Sequence, residues 1–536
     1  MSGSPPPPPA IHPARKGSPM PQGPADTALA ALQRGDLASC HRMTSELLRA
    51  NPYDAGAIML RGLSTPPADA VLALPLLQLA CRIAPHNAEH WFQLGRWHEQ
   101  RGRFVDAARA FRRAMALDPA HLPALSRGTE MLRVTEQFAE AIGFARRMQR
   151  VLPNDPAGFA HEAISLQHLG ELEASDAMFD AAIQRSRDPA LLHWEHQFSL
   201  LRRQRFAEAW DKYEVRFDCA EANSVDDMAF TLPRWRGEPG QHVLAYGEQG
   251  IGDQLMFASA LSDLIARASR VSLAVAPAMV DLFRASFPTI HVFPIERKRD
   301  PKACARVAEA AGAVVPVDAT LPLGSLMAMF RRDRAAFTGM PYLRASDAAR
   351  EYWASRGAAP SVSPQGGGKP FRIGVCWSCN PSLQQFSLAR RAQHRTMPFG
   401  DMARLAQVPG VSATAITNVS LRDFGIDDAA AGGIADVSSA LTSIDRTAAL
   451  LEEIDLLVTV DTGVAHLAGG LGVPVWILLH AAGDPRWGAP GSEASYWYRS
   501  ATLFWQAEPG NWSEVIDRVE AALRETIAAP RRRSVA

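Results

Sequence analysis

Polar and apolar residues in the first half of the chain alternate with the period of an α-helix, and the pattern recurs at a fixed distance. Pro85, Pro119 and Pro153 stand 34 residues apart, and each comes after an amphipathic stretch. Because proline cannot continue a helix, each of them marks the end of a helical segment. The spacing predicts a row of similar helical hairpins.

The clearest copy of this repeat lies between the first two of these prolines. Small residues at positions 95 and 107 let two helices approach closely, while larger apolar residues fill the seam between them. The signature positions are, in order, Trp91, Leu94, Gly95, Ala107, Phe111, Ala114 and Pro119. These residue types in this order are those of a tetratricopeptide repeat. About five such hairpins fit between residues 27 and 217, and we assign residues 27–220 to the array.

Stacked hairpins of this kind form a superhelix whose concave face commonly binds an extended peptide or a partner protein. An array can also serve only to brace the domain beside it, because a fold alone does not name a ligand. The sequence leaves both interpretations open, the binding of a partner and the bracing of the neighbouring domain. Residues 1–26, which contain the run Pro5 to Pro9, lack the apolar core of a signal peptide and are predicted to be a disordered tail.

After residues 236–240 the pattern changes to short β-rich runs that alternate with helical stretches, which indicates α/β construction. The predicted strands cover residues 243–246, 271–275, 290–293, 313–317, 372–377, 411–416, 455–460 and 473–479. Between the two groups, residues 357–370 have the composition of a linker. We therefore expect two α/β subdomains, 241–356 and 371–528, with a ligand cleft beyond the carboxyl ends of their strands.

Composition narrows the class of protein. Lys+Arg 56 balances Asp+Glu 56, so the chain has no net charge and no sign of nucleic-acid or anionic-membrane binding. The most apolar stretch, residues 456–482, is interrupted by Asp461, His466 and several glycines and is not a membrane span. Six scattered cysteines fit reduced thiols better than a disulfide framework. We expect a cytoplasmic protein that does not span the membrane.

The turn after the strand at 455–460 carries the first group of polar candidates. Asp461, Thr462 and Gly463 stand where a helix begins, and His466 lies in its first turns. A helix N-terminus offers free N–H groups and a positive dipole end, which suit a diphosphate. The alternative is a simple N-cap by Asp461 or Thr462, with His466 packed in the helix, and the spacing alone favours it.

Two further loops follow predicted strands. In the first, Gln249, Gly250 and Gly252 precede Asp253. Glycines at a strand-to-helix turn can serve geometry alone, and Asp253 can be a helix N-cap.

The other loop follows the strand at 372–377 and holds Ser378, Cys379 and Asn380, with Arg395 downstream. Arginines there can clamp phosphates, although an isolated basic stretch is more often a solvated face. The sequence has no second Cys-x-x-Cys that would complete a four-ligand zinc site with Cys376 and Cys379. Because this pair closes an apolar run, small buried thiols at the end of a strand are the favoured interpretation.

Together the loops resemble the heptosyltransferase-like glycosyltransferases (glycosyltransferase family 9 type), in the branch with an N-terminal tetratricopeptide array. The resemblance covers about residues 27–525, and its most specific part is 460–468. The other matching segments are 248–253, 377–381 with 395–398, and 484–487 followed by 497–498. It implies an all-α superhelix followed by a GT-B module of two Rossmann-like α/β subdomains.

The resemblance also implies roles. Asp253 takes the place of the family's catalytic carboxylate on the acceptor-side subdomain, in the loop that holds Gln249, Gly250 and Gly252. The implied donor-binding residues are Asp461, Thr462, Gly463, His466, Ser378, Asn380 and Arg395. The family inverts the anomeric carbon without a covalent intermediate and generally without a metal. In agreement, the sequence has no Asp-x-Asp metal motif.

These roles make chemical sense. An aspartate is an ordinary general base for an acceptor hydroxyl, so Asp253 suits that task. The helix after Thr462, together with Arg395, would stabilise the departing nucleoside diphosphate in place of a metal. Closure of the two subdomains about the 357–370 linker would align the substrates and exclude water.

The sequence therefore predicts an inverting, metal-independent glycosyltransferase of hexosyl- or heptosyltransferase type. Its donor would be a nucleotide sugar, which is a substrate, so no cofactor is expected. Its acceptor would be a glycan, a lipid-linked saccharide or a protein. The competing hypothesis is a non-enzymatic tetratricopeptide scaffold with a degenerate GT-B module.

Overall fold

The computed structural model describes residues 23–66, 69–219, 228–296, 300–356, 370–379, 395–427 and 432–529. The chain divides into two compact units, one up to Ser186 and one from Arg187 onward. The predicted tail and the predicted linker fall almost wholly outside the described residues, as does Asn380.

The first unit consists of helices that pack against their neighbours along the chain. Ten helices lie in its described part: α1 Pro24–Gln33, α2 Leu37–Ala50, α3 Ala55–Leu63, α4 Ala70–Ile83, α5 Ala88–Glu99, α6 Phe104–Leu117, α7 Leu122–Val134, α8 Phe138–Val151, α9 Pro156–Leu169 and α10 Leu172–Arg185. Several begin at a capping side chain; Asp54 and Asn87, for example, accept backbone N–H groups at the starts of α3 and α5. The result is the helical repeat region that the period predicts.

The seam between α5 and α6 depends on one glycine. A Cβ built on Gly95 would lie 2.6 Å from the ring of Phe111, which is completely buried. Gly143 in α8 is a helical glycine with the opposite environment, since a Cβ there would meet nothing within 4 Å.

This contrast gives a matched test of the repeat. Gly95→Leu should lower the free energy of unfolding by about 1–3 kcal/mol, because the new side chain overpacks the seam. Gly143→Leu should leave it unchanged or raise it slightly, since leucine favours a helix more than glycine does. Urea unfolding of the two variants of the full chain measures both; equal midpoints would contradict the assigned packing.

A sixth pair of helices follows, α11 Ala190–Arg202 and α12 Phe206–Tyr213, with a 3₁₀ turn at Glu214–Phe217. The sequence predicted about five hairpins and placed all of them in one array. The described residues hold six pairs, and the sixth belongs to the second compact unit. Its aromatic residues Trp194, Phe206 and Trp210 are part of the same buried cluster as the α/β strands.

The α/β region contains two parallel sheets. The first holds β1 His242–Tyr246, β2 Arg270–Val275, β3 His291–Pro294 and β4 Ala319–Pro322, in the order β3-β2-β1-β4. Its helices are α13 Ile251–Phe257, α14 Leu261–Arg267, α15 Val280–Ser286, α16 Pro301–Ala311, α17 Ser325–Phe330 and α18 Asp347–Ala354.

The second sheet holds β5 Phe371–Cys376, β6 Val411–Ala415, β7 Ala435–Asp436, β8 Leu456–Val460, β9 Val475–Leu479 and β10 Ala501–Trp505, in the order β10-β9-β8-β5-β6-β7. Its helices are α19 Phe399–Ala403, α20 Ile444–Leu451, α21 Gly463–Leu471 and α22 Trp512–Ala528. This order is that of a Rossmann sheet. The predicted fold class, helical repeats followed by a parallel α/β region, is confirmed.

Both sheets reverse their strand order at one point, next to β1 in the first and next to β5 in the second. Ligands bind at such switch points in open α/β sheets. The three loops with candidate residues follow β1, β5 and β8, so the topology brings all of them to these points.

One predicted strand is wrong. Residues 313–317 form no strand, and β4 lies further along at Ala319–Pro322. Val314 is 79% exposed, and Pro316 has no N–H to donate to the ladder beside the central strand β1. Strands β7 and β10 were not predicted; each lies at an edge of the second sheet.

Candidate functional site

The turn after β8 leaves the start of α21 without a side-chain cap. Thr462 is the N-cap residue, but its hydroxyl lies 3.2 Å from that of Thr459 instead of accepting a helix N–H. The carboxylate of Asp461 pairs with Arg395 at 3.4 Å. The simple N-cap by Asp461 or Thr462 is therefore excluded, and no side chain of the described residues caps this helix N-terminus.

The α/β region has two halves, the first built on the sheet β1–β4 and the second on the sheet β5–β10. Two glycines bring these halves together. A Cβ built on Gly252 would lie 3.2 Å from the Cα of Gly463 and equally close to the ring of His466. Gly252 lies in the first turn of α13 and Gly463 in that of α21, and these helices pack against each other. Any side chain at Gly252 would push the two helix N-termini apart. This close approach explains a glycine that the sequence attributed to turn geometry.

Asp253 is held by both halves. It is the third residue of α13, and its Oδ2 accepts the backbone N–H of Gly250, the N-cap residue, at 3.0 Å. Its Oδ1 accepts a hydrogen bond from Nη1 of Arg486 in the other half. Asp253 is therefore not the N-cap of α13. Its carboxylate supports the start of the helix with one oxygen and accepts a hydrogen bond from the other half with the second oxygen.

Arg486 lies in the 3₁₀ turn Pro485–Trp487 after β9 and is itself held by Asp484. The two side chains form a bidentate pair, with Nη2 to Oδ2 at 2.7 Å and Nε to Oδ1 at 3.0 Å. Burial opposes both charges, yet the pairing keeps the pKa of Asp484 below its usual value and the pKa of Arg486 well above its own. Asp253, Arg486 and Asp484 thus form an ion bridge between the halves.

His466 is buried against aromatic rings. Its Nδ1 lies 2.9 Å from the hydroxyl of Tyr498, and its ring stacks on Trp487 at 4.8 Å. Burial lowers its pKa from 6.5 to about 4, so the ring is neutral at physiological pH. His466 therefore packs the turn after β8 against the loop that carries Arg486.

This environment predicts a pH-dependent stability. The unfolded chain takes up the His466 proton near pH 6.5, whereas the folded chain takes it up only near pH 4. The free energy of unfolding therefore keeps its full value above pH 6.5 and decreases as the pH falls from 6.5 to about 4. The loss for one such proton is at most about 1.4 kcal/mol per pH unit. Melting temperatures of wild type and His466→Asn from pH 7.5 to 5 measure it. The wild-type curve should fall more steeply; parallel curves would contradict the assignment.

The loop after β5 is tied to the turn after β8. The thiol of Cys379 lies 3.2 Å from the carbonyl oxygen of Asp461, and the backbone N–H of Cys379 donates to Thr396 at 3.3 Å. Ser378 donates locally to the carbonyl of Cys379. Burial raises the pKa of the Cys379 thiol to about 12, so it is a neutral donor. Ser378 and Arg395 thus lie beside the Asp461 turn, as expected for one site.

Comparison with known proteins agrees with both parts of the chain. Residues 88–121 match the family model of the tetratricopeptide repeat, and residues 437–508 match that of glycosyltransferase family 9 (heptosyltransferase). The chain is therefore similar to tetratricopeptide proteins in its helical region and to family 9 glycosyltransferases in its α/β region. The second match includes Asp461, His466 and Arg486. It begins at residue 437 and so does not include the half of the α/β region that carries Asp253.

One curated relative and several solved structures are similar to this chain. Protein FlbA of Caulobacter vibrioides is 26% identical over 427 residues, which cover 75% of this chain and 67% of FlbA. MamA, known from a crystal structure, shares 17% sequence identity with this chain. The match covers 30% of this chain and 89% of the MamA chain, with a TM-score of 0.27. YrrB, described as a TPR protein with an unusual peptide-binding site, is 15% identical. The match covers 33% of this chain and 91% of the YrrB chain, with a TM-score of 0.29.

The second compact unit contains a buried ion pair that the sequence did not reveal. Arg216, in the turn after α12, donates to both carboxylate oxygens of Glu248 at 2.8 Å, and both side chains are 0% exposed. Glu248 also accepts the backbone N–H of Gly324 after β4, at 2.8 Å. The next residue, Gln249, has φ +57° and donates to the hydroxyl of Tyr213. The sequence named Glu248 only within a matching segment, and nothing in its spacing pointed to Arg216.

Among the described residues, no helix is long and apolar enough to cross a membrane.

Proposed function

We propose that this chain is an inverting glycosyltransferase that transfers a sugar from a nucleotide-sugar donor without a metal ion. One observation carries the proposal: the uncapped start of α21 and the carboxylate of Asp253 meet at the switch points of the two sheets. Gly252, the neighbour of Asp253, contacts Gly463, the first residue of α21. A diphosphate at α21 would therefore lie next to a carboxylate that can act as base.

The donor diphosphate would bind at the backbone N–H groups that open α21. Arg395 lies beside this turn, and Asp461, Asp484 and the neutral thiol of Cys379 surround it. Burial opposes the charge of Arg395, but the neighbouring Asp461 raises its pKa above the usual value, so a permanent cation faces the turn. A cation and a helix N-terminus can together stabilise the charge that the leaving nucleoside diphosphate gains.

Asp253 would accept the proton of the acceptor hydroxyl. Each of its oxygens accepts one hydrogen bond, Oδ2 from the N–H of Gly250 at the start of its own helix and Oδ1 from Arg486 of the other half. We assign Oδ1 as the base because it faces the other half, and its remaining lone pair would take the proton. An acceptor hydroxyl would approach Oδ1 beside Nη1 of Arg486. The acceptor oxygen would then attack the anomeric carbon from the side opposite to the diphosphate while Oδ1 takes its proton. The bond between that carbon and the diphosphate oxygen breaks, the nucleoside diphosphate leaves, and the configuration is inverted.

The acceptor would be a glycan, a lipid-linked saccharide or a protein, and the tetratricopeptide array would bind that protein or a partner. The first experiment is a thermal-shift screen of nucleotide sugars against the full chain, because a ligand of the native state raises its melting temperature. Donors that bind are then tested for release of nucleoside diphosphate with candidate acceptors. Binding without turnover under any condition would favour the scaffold hypothesis.

The diphosphate site has a matched pair of test variants. Gly463→Ala and Gly463→Pro each add a Cβ at the same place, about 3.6 Å from the backbone nitrogen of Gly252. Only proline removes the N–H, and proline is tolerated at the first position of a helix. The extended backbone of Thr462, with ψ 171°, also suits a residue that precedes proline.

We expect Gly463→Pro to weaken nucleoside diphosphate binding by about 10- to 100-fold, the loss of one charge-assisted hydrogen bond. Gly463→Ala should stay within a few-fold of wild type. Isothermal titration with the diphosphate measures both. Equal affinities in the two variants would move the phosphate site away from α21.

A further inference from the structure

We propose that the hairpin α11–α12 and the turn after it hold both ends of the ion bridge between Asp253 and Arg486, so that Arg202 is a positioning residue of the site. The inference rests on the proposed function for its catalytic part. Its structural part, the coupling of two loops through one hairpin, can be tested without any turnover.

The first end of the bridge is fixed from α12 and its following turn. Arg216 holds Glu248, and Tyr213 holds Gln249. These two residues lead directly into Gly250, whose N–H is bonded to Asp253. The position of the Asp253 carboxylate therefore depends on contacts from the hairpin to the loop before α13.

The second end is fixed from α11. Nη2 of Arg202, which is almost fully buried, donates to the carbonyl oxygen of Gly483 at 2.8 Å. Gly483 immediately precedes Asp484, and Asp484 grips Arg486 through two hydrogen bonds. Burial lowers the pKa of Arg202 to about 10, which leaves it charged at neutral pH, near the Asp484 carboxylate. Arg202 thus supports the loop from which Arg486 reaches Asp253.

The hairpin also fills the space between the halves. The ring of Trp210 lies 6.4 Å from that of Phe257 at the end of α13 and 6.3 Å from that of Trp497 in the other half. Phe206 packs on Tyr496 at 5.0 Å. Because one rigid element contacts both halves and directs its buried arginines to the two site loops, a disturbance at Arg202 should reach Asp253 through Arg486.

Hydrogen exchange tests this coupling directly. In Arg202→Met we expect exchange to rise by about 10-fold in residues 483–487 and also in residues 248–253, since the lost bond is a charge-assisted one. Arg202→Lys, which keeps a charged donor, should show a smaller rise in both segments. Arg205→Met is the control, because Arg205 lies on the same hairpin and pairs with its exposed neighbour Glu208. A rise confined to 483–487, or to α11 itself, would overturn the proposal.

Turnover then tests the positioning role. Arg202→Met should lower turnover by about 10-fold or more at unchanged affinity for nucleoside diphosphate, with partial recovery in Arg202→Lys. In an Asp253→Asn background the same substitution should change the residual rate by less than about 3-fold, because both act through one bridge. An equal loss of turnover in the wild-type and Asp253→Asn backgrounds would overturn the positioning role of Arg202 but would not contradict the proposed glycosyltransferase function. If wild type transfers no sugar, the proposed function fails, and hydrogen exchange alone decides the coupling.

Discussion

Asp253→Asn should lower the rate of sugar transfer by about 10² to 10⁴-fold, the usual cost of losing a positioned general base. Asparagine has the size of aspartate, and its amide oxygen can still accept the N–H of Gly250, which Oδ2 accepts at 3.0 Å. Arg486 keeps its bidentate partner Asp484. The substitution therefore removes the proton acceptor and leaves most of the local structure in place.

Initial rates at saturating donor, together with donor affinity by titration, measure this effect. Affinity should stay nearly constant, because the donor diphosphate is proposed to bind the backbone N–H groups of α21 and Arg395 and not Asp253. Asp263→Asn is the control, because Asp263 in the same half pairs with Arg331 away from the bridge, at 2.8 Å. Equal rates in wild type and Asp253→Asn would remove Asp253 from the mechanism. A parallel loss of affinity and melting temperature would point to a structural role instead.

Arg216→Met should lower the free energy of unfolding by about 3–5 kcal/mol, the cost of leaving a buried charge without its partner. Both side chains of the Arg216–Glu248 pair are 0% exposed. Burial opposes the charge of Arg216, but Glu248 raises its pKa above the usual value, so the arginine is charged at every working pH. The same arginine also donates to Ser325 and Glu214.

Urea unfolding of the full chain measures the loss. Arg332→Met is the matched control: Arg332 also joins the hairpin to the first α/β half, but it and its partner Asp211 are 45% and 58% exposed. Exposed pairs contribute about 0–1 kcal/mol, so this variant should unfold almost as wild type does. The double variant Arg216→Met, Glu248→Gln should recover part of the loss, because no uncompensated charge remains. Equal losses in Arg216→Met and Arg332→Met would contradict the pairing.

The sequence revealed what depends on local pattern. The repeat period was visible because the hairpin seam needs a small residue against Phe111, and proline ends each helix. The three site loops were found because parallel strands end at one edge of a sheet, and glycines with polar residues cluster there. The roles of Asp253, Asp461 and the residues around them stay predictions.

The remainder depends on contacts between distant segments. Arg486 and Asp253 are 233 positions apart, and Arg216 and Glu248 are 32 apart across a change of fold, so no spacing rule connects them. The strand predicted at 313–317 shows another limit. Its β-branched residues suit a strand, but the position beside β1 requires backbone donors that Pro316 lacks.

The sixth helix pair belongs to the second compact unit, and this determines where the chain can be shortened. Glu248 and Asp484, together with Arg216 and Arg202 that hold them, all lie in the second unit, whereas the hairpins up to Ser186 lie in the first. The last pair cannot be treated as an interchangeable repeat. A fragment cut at residue 241 would retain Glu248 without Arg216, whereas one that starts at Arg187 would keep both ion-pair partners.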